Sequence, residues 1–121
     1  MPEEGLLIIE DSLAWTNETG TRFFNTELYH IRAELLLLMY RGEEAEHSYR
    51  MALEVAREQK ARMWELRAAS DLAQLLREQQ RQAEARDVLA PVHSGFSEGF
   101  DILELQRSKA LLMRLSAATA A

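Results

Sequence analysis

The residues of this chain that could do chemistry are three histidines, at 30, 47 and 93, set among 20 aspartates and glutamates. A metal site on a helix needs ligands at paired spacing, and the histidines lack it. No Glu-x-x-His motif occurs, so all three are expected at the surface rather than on a metal. Glu43, Glu44, Glu46, Glu54 and Glu58 stand with Arg50, Arg57 and Lys60 as a solvated helical face of charge partners. A general acid and base pair does not stand out from that background. There is no Gly-rich phosphate loop followed by Lys-Ser or Lys-Thr, and no paired metal-binding aspartates. Without cysteine there is neither a disulfide framework nor a thiolate zinc site. No catalytic, cofactor-binding or metal residue is assigned. The chain is expected not to be an enzyme, and its chemistry to be binding.

The bulk properties narrow the partner. A formal charge of -6, with acidic residues spread along the chain, repels phosphate backbones and argues against nucleic acid. The opening Met1-Pro2-Glu3-Glu4-Gly5 has no basic stretch, and Leu6-Leu7-Ile8-Ile9 is stopped by Glu10 and Asp11, which is unlike a signal peptide. No apolar stretch approaches the roughly 20 residues that cross a bilayer. A soluble, cytoplasmic protein with a protein or peptide partner and no membrane is expected, and 121 residues suit one domain with a real core.

The elements that must position such a binding surface show in a near-repetition of about 40 residues. That shift pairs Leu13 with Leu53, Arg22 with Arg62, Ala33 with Ala73, Leu36 with Leu76, Arg41 with Arg81, Glu44 with Glu84 and Ala45 with Ala85. Only two prolines interrupt the chain, one of them at position 2, so long helices with short joints follow. Helix one is placed near Leu6 to Asn17, closed by Thr19-Gly20 with the glycine left-handed. Helix two runs from about Arg22 to Tyr40 on the stripe Phe24, Leu28, Ile31, Leu35 and Leu38, with Arg41-Gly42 as its stop. Helix three takes Glu43 to Gln59 on Ala45, Tyr49, Ala52, Leu53 and Ala56. Helix four runs from about Arg62 to Gln79 on Met63, Leu66, Ala69, Leu72, Ala73 and Leu76. Helix five, Gln82 to about His93, carries Ala85, Val88, Leu89 and Val92, and Pro91 implies a bend near Asp87. Helix six begins after a capping Asp101 on Leu105, Ser108, Leu111, Leu112 and Leu115, and Ser116 to Ala121 is expected to fray. With the period laid over these helices, the chain begins with the second helix of one pair and ends with the first of another. One helical-repeat domain spanning 1–121, a fragment of a longer array, is the expectation.

Within each full repeat a small residue on one helix precedes a small residue on the next, Ala33 then Ala45 and Ala73 then Ala85, with Leu36 and Tyr49, or Leu76 and Leu89, beside them. Small side chains let two helix axes approach at the short end of roughly 8 to 10 Å. This spacing resembles the tetratricopeptide repeat, although the usual period is roughly 34. The resemblance implies an all-α fold of about six helices, in antiparallel helix-pair repeats forming an α-α superhelix. Two stretches, Met63-Trp64-Glu65-Leu66-Arg67-Ala68-Ala69 through Gln82-Ala83-Glu84-Ala85-Arg86-Asp87-Val88-Leu89-Ala90-Pro91-Val92, and Phe96-Ser97-Glu98-Gly99-Phe100-Asp101, look like the tail of large bacterial adenylate or guanylate cyclase or ATPase regulatory proteins. The pattern departs at His93-Ser94-Gly95, where that family has an aromatic, a glycine and a tryptophan. What the resemblance implies is a non-catalytic protein-interaction or regulatory segment, and any cyclase or ATPase activity would belong to other parts of such a protein.

By the superhelix analogy, the first helix of each pair lines a concave face. Its outward residues would be Glu27, His30, Glu34 and Leu37 on one repeat, and Arg67, Ser70, Gln74 and Arg77 on the next. The mixed charge suits a peptide carrying both signs, and an ordinary polar surface is the alternative. Phe24, Trp64 and Trp15 are expected in the packing between helices. The run Leu35-Leu36-Leu37-Leu38-Met39-Tyr40 covers more of a helix than one buried stripe needs. Either helix two is covered on two sides, or Leu37, Leu38 and Met39 form a contact surface, which would make the chain a homodimer module. A third reading is a small-effector sensor, with a deep pocket between helices two and four.

Overall fold

A computed structural model describes residues 2–20, 24–95 and 103–120, with side chains left aside at 103–105 and 117–120. Those residues form six α-helices and no strand: α1 (Pro2–Thr19), α2 (Asn25–Leu38), α3 (Gly42–Glu58), α4 (Arg62–Glu78), α5 (Gln82–Ser94) and α6 (Leu103–Ala120). None of these helices is long and apolar enough to cross a membrane. The chain divides into two compact units, Met1–Trp64 and Glu65–Ala121.

In the first unit α2 packs on α1 and on α3. Gly20, at φ 76°, follows α1 in the left-handed conformation expected of it. Near its start α1 comes so close to α2 that a Cβ on Gly5 would lie 3.3 Å from Leu35 Cδ1. The buried face of α2 is Asn25, Thr26, His30, Ala33 and Leu36, while Ile31 and Leu38 are exposed. The leucine-rich heptad expected to face inward is therefore rotated away. Size decides the face here: Ala33 has no bulk to hold the axes apart, and the polar residues beside it find partners. Thr26 Oγ1 donates to the Ala52 carbonyl at 2.8 Å, His30 Nδ1 lies 3.1 Å from Glu34 Oε1, and the Arg32 guanidinium donates to Ser48 Oγ. On α3 the expected stripe is buried in full, joined by Ser48 and Val55.

In the second unit α5 packs on α6. His93 Nδ1 lies 2.6 Å from Ser108 Oγ, and Arg107 on α6 donates to Asp71 on α4. Leu66, Ala69, Leu72, Ala73 and Leu76 are buried as the stripe on α4 requires, as are Ala85, Leu89 and Val92 on α5. Met63 instead lies 42% exposed in the first turn of α4. Helix α5 runs on through Pro91 to Ser94, and α6 continues to Ala120 where fraying was expected. Ser108, Leu111 and Leu115 are buried, as their spacing predicts. The expected cap at Asp101, the Phe96 to Asp101 stretch and the Leu105 side chain lie outside the described residues.

Three joints share one closure. Tyr40, Lys60 and Gln80 have φ of 57°, 56° and 64°, and the next amide returns to a carbonyl five residues back: Arg41 to Leu36 at 2.9 Å, Ala61 to Ala56 at 2.9 Å, Arg81 to Leu76 at 2.8 Å. This is the left-handed helix stop usually given to glycine. Gly42, read as the stop of α2, is instead the first residue of α3.

Candidate functional site

Of the three aromatic side chains assigned to packing between helices, the fold leaves two largely exposed. Trp15 is 57% exposed and Phe24 59%, and Trp64 is half-buried. The reason is local. Phe24 stands before the first residue of α2, with φ -104° and ψ 16°, so the helical period does not turn it inward. Trp15 is on α1, whose buried residues are Leu6, Leu13 and Thr16, and the 100° step of a helix puts position 15 on the opposite side. Trp64 stands edge-on to His30, with ring centroids 6.1 Å apart, and His30 meets Tyr49 in the same way at 5.5 Å. His30 is thus a buried packing residue at 8% exposure, not the surface histidine expected; His47 is exposed.

Phe24 divides two hollows of the first unit. One, of about 390 Å³, is lined by Phe24, Thr26, Glu27, Gln59, Ala61 and Trp64. The other, of about 420 Å³, is lined by Asp11, Ser12, Trp15, Thr16, Phe24 and Leu28. Their floors are aromatic and aliphatic. Each has one charged residue, Glu27 or Asp11, and both are acids. Aromatic anchors that are already held by a scaffold lose little side-chain entropy when something docks on them, and carboxylates beside them favour a cation.

The residues assigned to a concave face separate by burial. In the first unit Glu34 is exposed, Glu27 and Leu37 are half-buried, and His30 is buried. In the second, Arg67, Gln74 and Arg77 are half-buried and Ser70 is fully buried, its Oγ without a hydrogen-bond partner among the described residues. His30 and Ser70 therefore present no side chain to a partner. Of this set Glu27 lines one of the two hollows beside Phe24. Of the apolar run, Leu36 is buried, Leu37 and Met39 half-buried and Leu38 66% exposed, so Leu38 stays in water although α1 and α3 both pack on α2.

Missed by the sequence reading is the close His93–Ser108 pair of the second unit. A serine beside an imidazole is a nucleophile's arrangement, but Ser108 is 0% exposed, so the pair serves to join α5 to α6. Compared with known proteins, the chain matches no family model, no curated protein and no solved structure.

Proposed function

We propose that this chain is a non-catalytic protein-interaction module, a cytoplasmic regulatory segment of a larger signalling protein of the cyclase or ATPase type, built from tetratricopeptide-like helix pairs. The observation that carries the binding role is the pair of hollows around Phe24, floored by Trp15 and Trp64 and bordered by Asp11 and Glu27. Support for the helix-pair reading comes from the matching joints at Leu36–Ala45 and Leu76–Ala85, with the same backbone closure and the same Arg–Glu fork. Binding of a peptide segment there would bias an attached catalytic module by its different affinity for that module's states.

Panning a peptide library on the folded protein tests this. Enriched peptides are expected to share a large aromatic or aliphatic residue, and to lose affinity about tenfold or more against Phe24→Ser. Phe24 is exposed, so the variant's thermal unfolding should match the parent's. Peptides that bind both proteins equally would overturn the reading.

Small-effector sensing is a second reading, favoured by the volume of the hollow between the starts of α2 and α4, about 390 Å³ and within the range of roughly 300 to 1,000 Å³ that such ligands fill. It predicts a rise in melting temperature with aromatic fragments that Trp64→Ala removes. Fragments that leave the melting temperature unmoved count against it.

A further inference from the structure

Helix α1 carries Glu3, Glu4, Glu10, Asp11 and Glu18 and neither lysine nor arginine. Glu10 is taken up by Arg32 of α2 at 3.3 Å. Among the described residues no cation pairs with Glu4, Asp11 or Glu18, all three exposed. Each follows the last by seven residues, so they form a line along the side of α1 facing away from Leu6 and Leu13. Exposed apolar side chains flank the line: Leu7 at 64% on one side, Ile8 at 65% and Trp15 at 57% on the other. Trp15 and Asp11 are also part of the hollow beside Phe24, so the face and the hollow are continuous.

From this face we infer the chemistry of the partner: a basic amphipathic helix of another protein, lying along α1 with an apolar side chain in the Trp15–Phe24 hollow and lysines or arginines over Glu4, Asp11 and Glu18. The inference rests on the binding role proposed above. Two magnitudes select this occupant. Seven residues of helix advance about 10.5 Å, the interval at which a second helix repeats its own charges. An extended strand repeats one face every 6.6 Å or so and falls out of step after the first contact. A second copy of this chain is disfavoured on charge, because α1 against α1 sets carboxylates against carboxylates with no cation on the helix to answer them.

Three synthetic peptides with one apolar stripe test this, their flanking positions all lysine, all glutamate or all glutamine. They are titrated into the intact protein by tryptophan fluorescence, at about 50 and about 500 mM salt. The lysine peptide is expected to bind most tightly, to weaken about tenfold or more at high salt, and to lose a similar factor against the triple variant Glu4→Gln, Asp11→Asn, Glu18→Gln. Equal binding of all three peptides, or a triple variant that binds the lysine peptide as the parent does, overturns the inference. If that variant binds normally while Phe24→Ser abolishes binding, the hollow stands as the docking site and the charged line falls. If neither substitution matters, both readings fall. Concentration-dependent dimerisation in sedimentation, abolished by Leu7→Ser with Ile8→Ser, would assign the face to a second copy and overturn the inference as well.

Discussion

The joint between α2 and α3 and the joint between α4 and α5 are alike in backbone and unlike in surface. In both, a leucine carbonyl receives the amide five residues on, a non-glycine residue sits at positive φ, and an arginine grips a glutamate three residues later. Arg41 Nε to Glu44 Oε1 is 2.7 Å, and Arg81 Nε to Glu84 Oε1 is 3.2 Å. Between the buried leucine and the left-handed residue, however, one joint reads Leu37-Leu38-Met39 and the other Arg77-Glu78-Gln79. The lesson is that these two joints share few positions: a buried leucine, a turn residue and two alanines. Everything facing outward is left to serve whatever the surface binds.

Breaking the shared positions should cost most. Leu36→Ala and Leu76→Ala each empty a fully buried site and are expected to destabilise by about 2–5 kcal/mol in urea unfolding, whereas Leu38→Ser, two residues from Leu36, should stay within about 0.5 kcal/mol. Equal losses at positions 36 and 38 would mean that the joint does not sort its residues by burial. Next, Ala45→Leu and Ala85→Leu force bulk between helices at sites with 0% exposure and should each cost about 1–3 kcal/mol, measured in the same way. The left-handed residues act in the opposite direction. Tyr40→Gly removes a side chain that is 97% exposed and relieves the positive φ, so a gain of about 0.5–1 kcal/mol is expected, with a similar gain for Gln80→Gly. A loss at either joint would count against strain there.

The smallest effect belongs to the Arg–Glu fork. The hydrogen bond from Arg41 holds the Glu44 carboxyl below its ordinary value of 4.5, and the same contact raises Arg41. A carboxyl lowered in the folded state stabilises above its unfolded value, and that contribution fades as pH falls through the folded one. Glu44→Gln should therefore be slightly less stable than the parent at neutral pH, and the difference should vanish on acidification below pH 4.5 and shrink in high salt. A difference that grew toward acid would contradict the pairing.

Much of this architecture was legible in residue types. The alanine and leucine spacing on α3, α4 and α5 predicted buried faces that the structure has, and Gly20 predicted a stop that it makes. The reading failed on α2, where Ile31 and Leu38 looked inward and Asn25, Thr26 and His30 did not. A heptad of large apolar residues gives a period but no phase. The phase came from Ala33 and from the partners that Thr26 and His30 find on α3, the Ala52 carbonyl and the Tyr49 ring, which no local pattern announces. The left-handed joints were hidden for a similar reason: Tyr40, Lys60 and Gln80 carry no turn signature, and their only trace is their 20-residue spacing. Among the residues assigned to the concave face, Glu27 lines one of the two hollows. Trp15 and Phe24 were noticed and misplaced, since large aromatics were expected to fill space between helices, whereas Trp64 does pack on His30 of α2.

By itself the sequence determined an all-helical chain with short joints, because helix propensity, proline placement and the spacing of small and large residues act within a turn or two. Tertiary structure decided which side of each helix is covered. That choice depends on which neighbours a helix has: α1 lies against α2, so the half of its apolar residues that faces away from α2 is left in water. The candidate surface arises there, where the hydrophobic pattern exceeds what the fold can bury.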